Sequence, residues 1–149
     1  MNPITIRVDG VPKPGGSKTA FAFKGKDGRP HARVVDAGKG NREWKQLVAF
    51  EARRQYTDPP FALLPLLVTF RFTMPRPKFH YRAGRNAHLL RPDAPKYHIV
   101  MPDATKLMRS TEDALTGILW RDDACVFGFP TKVYGDRPGV DITVEVLEP

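Results

Sequence analysis

The sequence predicts an α+β fold: a small mixed sheet of about four strands packed with two main helices, in the order β-α-β-α-β-β. Three observations lead there. The chain opens on strict alternation of apolar and polar residues. Two later segments carry apolar residues at spacings of three and four. Three stretches rich in Val, Leu, Phe and Thr are bounded by Gly and Pro. At 149 residues the chain is the size of one domain, 1–149, with room for one core.

Ile4-Thr5-Ile6-Arg7-Val8 alternates as a half-buried strand does, and Asp9-Gly10 ends it with turn chemistry. From Val11 to Arg33 the chain is rich in Pro, Gly and Lys. Pro12-Lys13-Pro14-Gly15-Gly16-Ser17-Lys18 is too interrupted for a helix or an inner strand, so this is a loop with room for a short hairpin from Ala20 to Val35. Asn41 suits the N-cap of a helix from about Arg42 to Tyr56. Trp44, Leu47, Val48 and Ala52 form its apolar stripe, Lys45, Arg53 and Arg54 its other face, and Asp58-Pro59-Pro60 stops it. Leu63 to Met74 reads as a buried strand, with Pro65 near its start, where a missing donor is tolerated.

Pro75 to His98 shows no period. Six basic residues, Arg76, Lys78, Arg82, Arg85, Arg91 and Lys96, face one acid, Asp93, with Phe79, Tyr81 and Tyr97 interleaved. Two readings stay open: a solvated insertion, or a flap that tracks phosphates and stacks on unpaired bases. The second helix is expected from Asp103 to Gly117. Its buried stripe is Ala104, Leu107, Met108, Thr111, Ala114 and Leu115; Lys106, Arg109, Ser110 and Asp113 lie opposite. Ala124 to Tyr134 and Val140 to Leu147 read as two strands, with Gly135-Asp136-Arg137-Pro138-Gly139 as a hairpin loop between them. Trp120 is expected as a core anchor.

Lys and Arg number 24 against 16 acids, a formal charge of +8, which favours polyanions such as nucleic acid. No apolar run approaches the roughly 20 residues that span a bilayer, and the first residues lack the pattern of a signal peptide. A cytosolic location without a membrane partner is expected. The single cysteine, Cys125, excludes an intramolecular disulfide and a Cys-based zinc cluster, and is expected to be a small buried hydrophobe. His31, His80, His88 and His98 show no recognised ligand spacing and read as loop residues near phosphate or solvent.

Against this basic background, Asp103 and the pair Asp122-Asp123 stand at the two ends of the second helix. Carboxylates beside a phosphate backbone repel it unless a cation lies between them, and Mg²⁺ takes oxygen ligands from one or two carboxylates, water and phosphate. Each acid also has an ordinary reading: Asp103 as a helix cap, and Asp122-Asp123 as a turn pair. Arg109 and Lys106 are either exposed helix formers or groups that reach a phosphate and neutralise developing charge. Lys13 and Lys18 are solvated or part of a phosphate track. Glu112 and Asp113 read as helix-surface charges, with a lesser role open to Asp113 in orienting Arg109 at the i, i+4 spacing.

The string Pro-Asp-x-x-Lys-Leu-x-Arg-x-x-x-Asp-Ala-Leu-Thr-Gly from Pro102 to Gly117, then Trp120-Arg121-Asp122-Asp123 and Lys132-Val133-Tyr134-Gly135, resembles the RusA family of phage-associated endonucleases that resolve Holliday junctions. The likeness is close over residues 102 to 147 and looser over the first strand and the Pro-rich loop; residues 75 to 98 look like an insertion. It implies a RusA-like α+β homodimer that binds four-way DNA junctions and makes paired nicks with Mg²⁺, or Mn²⁺ in its place. By motif position Asp103 and Asp123 match metal aspartates, with Asp122 beside them, and Arg109 takes the place of the essential basic residue. Lys13, Lys18, Arg76, Lys78, Arg82, Arg85, Lys106 and Arg109 are the expected DNA contacts. Where the family often has Asp-x-Asp-Asn, this chain has Asp103-Ala104-Thr105-Lys106. Thr105 contributes no charge, so weaker metal binding is expected, and a metal titration of wild type against Thr105→Asp checks it. A non-catalytic nucleic-acid-binding protein and a metal-dependent RNase are the alternatives.

Overall fold

The computed structural model describes residues 2–15, 18–36 and 40–148. Its main sheet has four strands, β1 (Ile4–Asp9), β4 (Leu66–Met74), β5 (Val126–Tyr134) and β6 (Gly139–Val146), in the spatial order β1-β6-β4-β5. A separate antiparallel hairpin joins β2 (Lys18–Lys24) to β3 (Pro30–Asp36), the hairpin the Gly/Pro-rich segment left room for. The helices are α1 (Asn41–Gln55) and α2 (Ala104–Leu115). This is the α+β class that the patterning predicts.

β4 is interior because of its composition. Leu66, Val68, Phe70, Phe72 and Met74 all point to one face and are buried, so the strand gains most when both of its edges are paired. β5 runs parallel to it on one side and β6 antiparallel on the other. The expected hairpin between the last two strands is therefore corrected: β4 lies between them, and Gly135–Gly139 crosses the end of that one strand. The parallel pair β4 and β5 requires a crossover, and α2 lies in it.

Both helices cover the same sheet face. Ile6, Val8, Val140, Ile142 and Val144 from the sheet meet Trp44, Val48 and Ala52 of α1 and Leu107 and Leu115 of α2 in one core. Trp44 donates its Nε1–H to Thr111 Oγ1 at 3.1 Å, a buried link between the helices, and Trp120 is fully buried as expected. Several expectations shift. Gly40, at φ 76°, is the N-cap of α1, which puts Asn41 inside the helix. β4 starts at Leu66, because Leu63 at φ 51° and Pro65 interrupt extended pairing. α2 stops at Leu115, and Gly117 takes up the positive φ of 92° two residues later. Ser110, expected on the polar face of α2, is buried. Cys125 is half-buried rather than part of the core.

The aperiodic segment 75–98 holds two short turns, Lys78–His80 and Gly84–Asn86, and is pinned to Tyr134 of β5. His80 meets the Tyr134 ring edge-on at 4.7 Å, His98 packs on it at 4.9 Å, and the Arg76 guanidinium lies 5.4 Å from its centre. The reading of all histidines as solvent or phosphate neighbours is corrected for these two: His80 and His98 are buried. Backbone bonds from His98 N–H to Lys132 O and from Tyr134 N–H to Lys96 O cover the outer edge of β5 at its C-terminal end.

Candidate active-site cleft on the second helix

The outer face of α2 supplies most of the site. Thr105, Met108, Arg109 and Glu112 fall at positions i, i+3, i+4 and i+7, so they form a single stripe. With Asp113, and Asp123 from the turn before β5, they line a cleft of about 520 Å³. α2 lies close over the sheet because β5 carries glycine beneath it: a Cβ on Gly128 would meet Met108 Sδ at 2.7 Å.

Asp123 is delivered by a chain of local constraints. Trp120 donates to Thr116 Oγ1 at 3.1 Å, and Arg121 N–H to Phe61 O at 3.0 Å, which holds the segment after α2. Asp122 Oδ1 then accepts from Ala124 N–H at 2.9 Å and caps the short turn Asp123–Cys125. One carboxylate of the pair serves the turn, and the other faces the cleft.

Asp103 sits at the N-cap of α2, yet its side chain makes no cap hydrogen bond. Its backbone O accepts from Lys106 N–H and Leu107 N–H, and its exposed carboxylate lies 3.7 Å from Lys106 Nζ. The loop before it is tied down by Lys132, whose Nζ donates to Val100 O at 2.8 Å and Pro102 O at 2.6 Å. Burial lowers the Lys132 pKa, and the charge of Asp103 opposes that shift. Periodicity could not have found Lys132, because its partners are carbonyls about 30 residues away.

Glu112, read as a surface charge, is half-buried. Its pKa is raised by burial first, then by the negative charges of Asp123 and Asp113. Asp113 pairs with Lys45 of α1 at 3.6 Å, so its ion pair runs across to the other helix and not to Arg109. Among the described residues no group of three or more His, Cys, Asp or Glu is assembled that could hold a metal ion. Asp103, Asp122 and Asp123 are thus not gathered into one cluster. The oxygen donors that do share the cleft are three carboxylates, Asp123, Glu112 and the Lys45-paired Asp113, and the Thr105 hydroxyl. All are hard oxygen donors, and two carboxylates suit Mg²⁺, which keeps water and phosphate in its remaining positions.

The Pro-rich N-terminal loop is laced along α2. Gly15 N–H donates to Lys106 O at 2.9 Å and Ser110 Oγ to Lys13 O at 2.6 Å, which ties the backbone of Lys13 to the helix; Lys13 lines a separate cavity with Gly40, Met74 and His98. The Lys18 side chain lies outside the described residues. Lys78 and Arg85 are exposed; the exposed Arg82 donates to Leu90 O at 3.3 Å. Arg76 is half-buried and engaged by Pro95 O at 2.8 Å, which makes it part of the loop's own structure.

No helix among the described residues is long and apolar enough to cross a membrane. None of the curated proteins matches the chain. The family model described as endodeoxyribonuclease RusA matches residues 15–145, a range that includes the cleft, the Pro-rich loop from Gly15 and the segment 75–98. With that match over most of its length, the chain belongs to the RusA endodeoxyribonuclease family.

Proposed function

We propose that the protein is a Mg²⁺-dependent, structure-selective DNA endonuclease that resolves Holliday junctions by paired nicks. One observation carries this reading: Arg109 and Asp123, which match the family's essential basic residue and later metal aspartate, line the same cleft of a strongly basic chain. Asp123 holds the cation. Asp103 joins it from the helix N-terminus, where an exposed ion pair to Lys106 restrains it weakly, and Asp122 orients the turn. A bound Mg²⁺ supplies Lewis-acid polarisation of the scissile phosphate and acidification of the attacking water. Arg109 neutralises charge as it develops on the phosphate. Lys13, Lys78, Arg82, Arg85 and Lys106 hold the backbone of the junction arms.

A C₂ homodimer would present two such clefts to the two symmetry-related strands. The sheet face left bare of helices supports this, since Phe127 and Phe129 of β5 are 54% and 60% exposed there, an apolar surface suited to burial against a second copy.

The test is cleavage of a labelled four-way junction beside a linear duplex of the same sequence, with Mg²⁺ or EDTA, using wild type and Asp123→Asn. Symmetric nicks confined to the junction, dependent on Mg²⁺ and lost in the variant, are expected. A second reading, a non-catalytic junction-binding protein, is favoured by the absence of a three-member ligand group among the described residues; tight junction binding with no cut would establish it. Stronger competition by structured RNA than by junction DNA would point to an RNase.

A further inference from the structure

We infer that Lys132 is a positioning residue of the cleavage reaction: by gripping the carbonyls of Val100 and Pro102 it fixes where the chain enters α2, and so where Asp103 stands. The inference rests on the endonuclease reading above, which leaves the string Lys132-Val133-Tyr134-Gly135 without a role.

Val126, Gly128, Pro130, Lys132 and Tyr134 share one face of β5, since side chains alternate along a strand. Val126 and Tyr134 pack against the core and Gly128 lies under Met108, so this is the face that α2 covers. A charge here is half-buried, and burial disfavours it. An apolar side chain would fill the position at lower cost unless the ammonium binds something. What it binds is the segment before Asp103: Nζ donates to Val100 O at 2.8 Å and to Pro102 O at 2.6 Å.

That segment has little else to hold it. The chain pairs with β5 as far as His98, whose N–H donates to Lys132 O at 3.2 Å. Beyond it Ile99, Val100 and Met101 are exposed, and Pro102 has no N–H to donate. Among the described residues the backbone of residues 99–102 makes no hydrogen bond except the two from Lys132. The Asp103 side chain makes no cap bond, and its ion pair to Lys106, at 3.7 Å, is exposed and restrains it weakly. Its place is therefore set by the backbone that enters α2, and the Lys132 ammonium anchors that backbone. One strand thus serves both ends of the site: Asp123 stands just before β5, and Lys132 reaches from β5 back to the start of α2.

The test compares wild type with Lys132→Met, which keeps the unbranched stem, and Lys132→Arg, which keeps a charge and its donors. Junction binding is followed in EDTA, cleavage in single turnover at saturating junction over a Mg²⁺ series, and the chain free of DNA and metal by amide NMR. Lys132→Met is expected to stay folded and to bind the junction like wild type, with amide signals moved or broadened between Ile99 and Ala104. Its cleavage rate should fall about a hundredfold, and the Mg²⁺ concentration for half-maximal rate should rise about tenfold. Lys132→Arg is expected to recover most of both. Wild-type cleavage by Lys132→Met, or signals of Asp103 and Ala104 identical to wild type, overturns the inference and leaves the endonuclease reading standing. A large fall in Tm with junction binding lost alongside cleavage, and no recovery in Lys132→Arg, makes Lys132 a residue of folding alone and overturns it as well. A wild-type chain that binds the junction and never cuts it overturns both.

Discussion

Adjacent acids divide their labour in Asp122-Asp123. The first spends an oxygen on Ala124 N–H, which an amide oxygen can still accept; the second faces the cleft as a charge, which an amide cannot replace. Asp123→Asn is therefore expected to abolish Mg²⁺-dependent junction cleavage while keeping or tightening junction binding. Asp122→Asn should retain most of the rate, and single-turnover cleavage of both variants checks the contrast. A buried imidazole gives a pH prediction. Burial first, and then Lys132, lowers the His98 pKa below its ordinary 6.5. The unfolded chain takes up that proton before the folded one does, so the stability present above about pH 6.5 is lost as pH falls toward the lowered value. His98→Phe removes the titration while keeping a ring against Tyr134. Its Tm should decline less than that of wild type between about pH 7 and pH 5, and equal slopes would falsify the assignment.

At the scale of elements, the placement of α2 decides the geometry of the cleft. Its stripe of Thr105, Arg109 and Glu112 reaches Asp123 because Met108 settles onto a strand with no side chain at Gly128. Gly128→Ala puts a methyl where Met108 Sδ stands, and overpacking of this kind costs about 1–3 kcal/mol. The variant is expected to lose several degrees of Tm in calorimetry and to cleave more slowly, since α2 must ride outward from the sheet. A wild-type Tm would show that Met108 simply turns aside. The hydrophobic periods of α1, α2 and β4 were legible because each reports one element's own buried face. The pairing of β4 between β5 and β6 was not, because a turn sequence such as Gly135–Gly139 is the same whether its strands meet or flank a third.

Across the whole molecule, the charge of +8 predicts junction binding that weakens steeply with salt, by about 0.9 in log K per log salt for each phosphate neutralised. Basic residues within one loop should differ. Arg85 is exposed and makes no side-chain bond among the described residues, so Arg85→Ala should reduce that slope by about one. Arg76 binds Pro95 O and lies on Tyr134; Arg76→Ala is expected instead to loosen the segment 75–98, seen as faster limited proteolysis without DNA. Composition and local pattern sufficed for the class of partner, the α+β class, both helices and the acids at the ends of α2, because charge, periodicity and motif spacing are properties of the chain read in order. Which acids share a cleft was settled in three dimensions. The crossover of α2 places Glu112 beside Asp123, the turn at Ala124 draws Asp122 away, and burial gives Glu112 an electrostatic setting unlike that of Asp113, its neighbour in sequence. Proximity across a crossover and exclusion of water arise from packing, and neither leaves a mark on the order of residues.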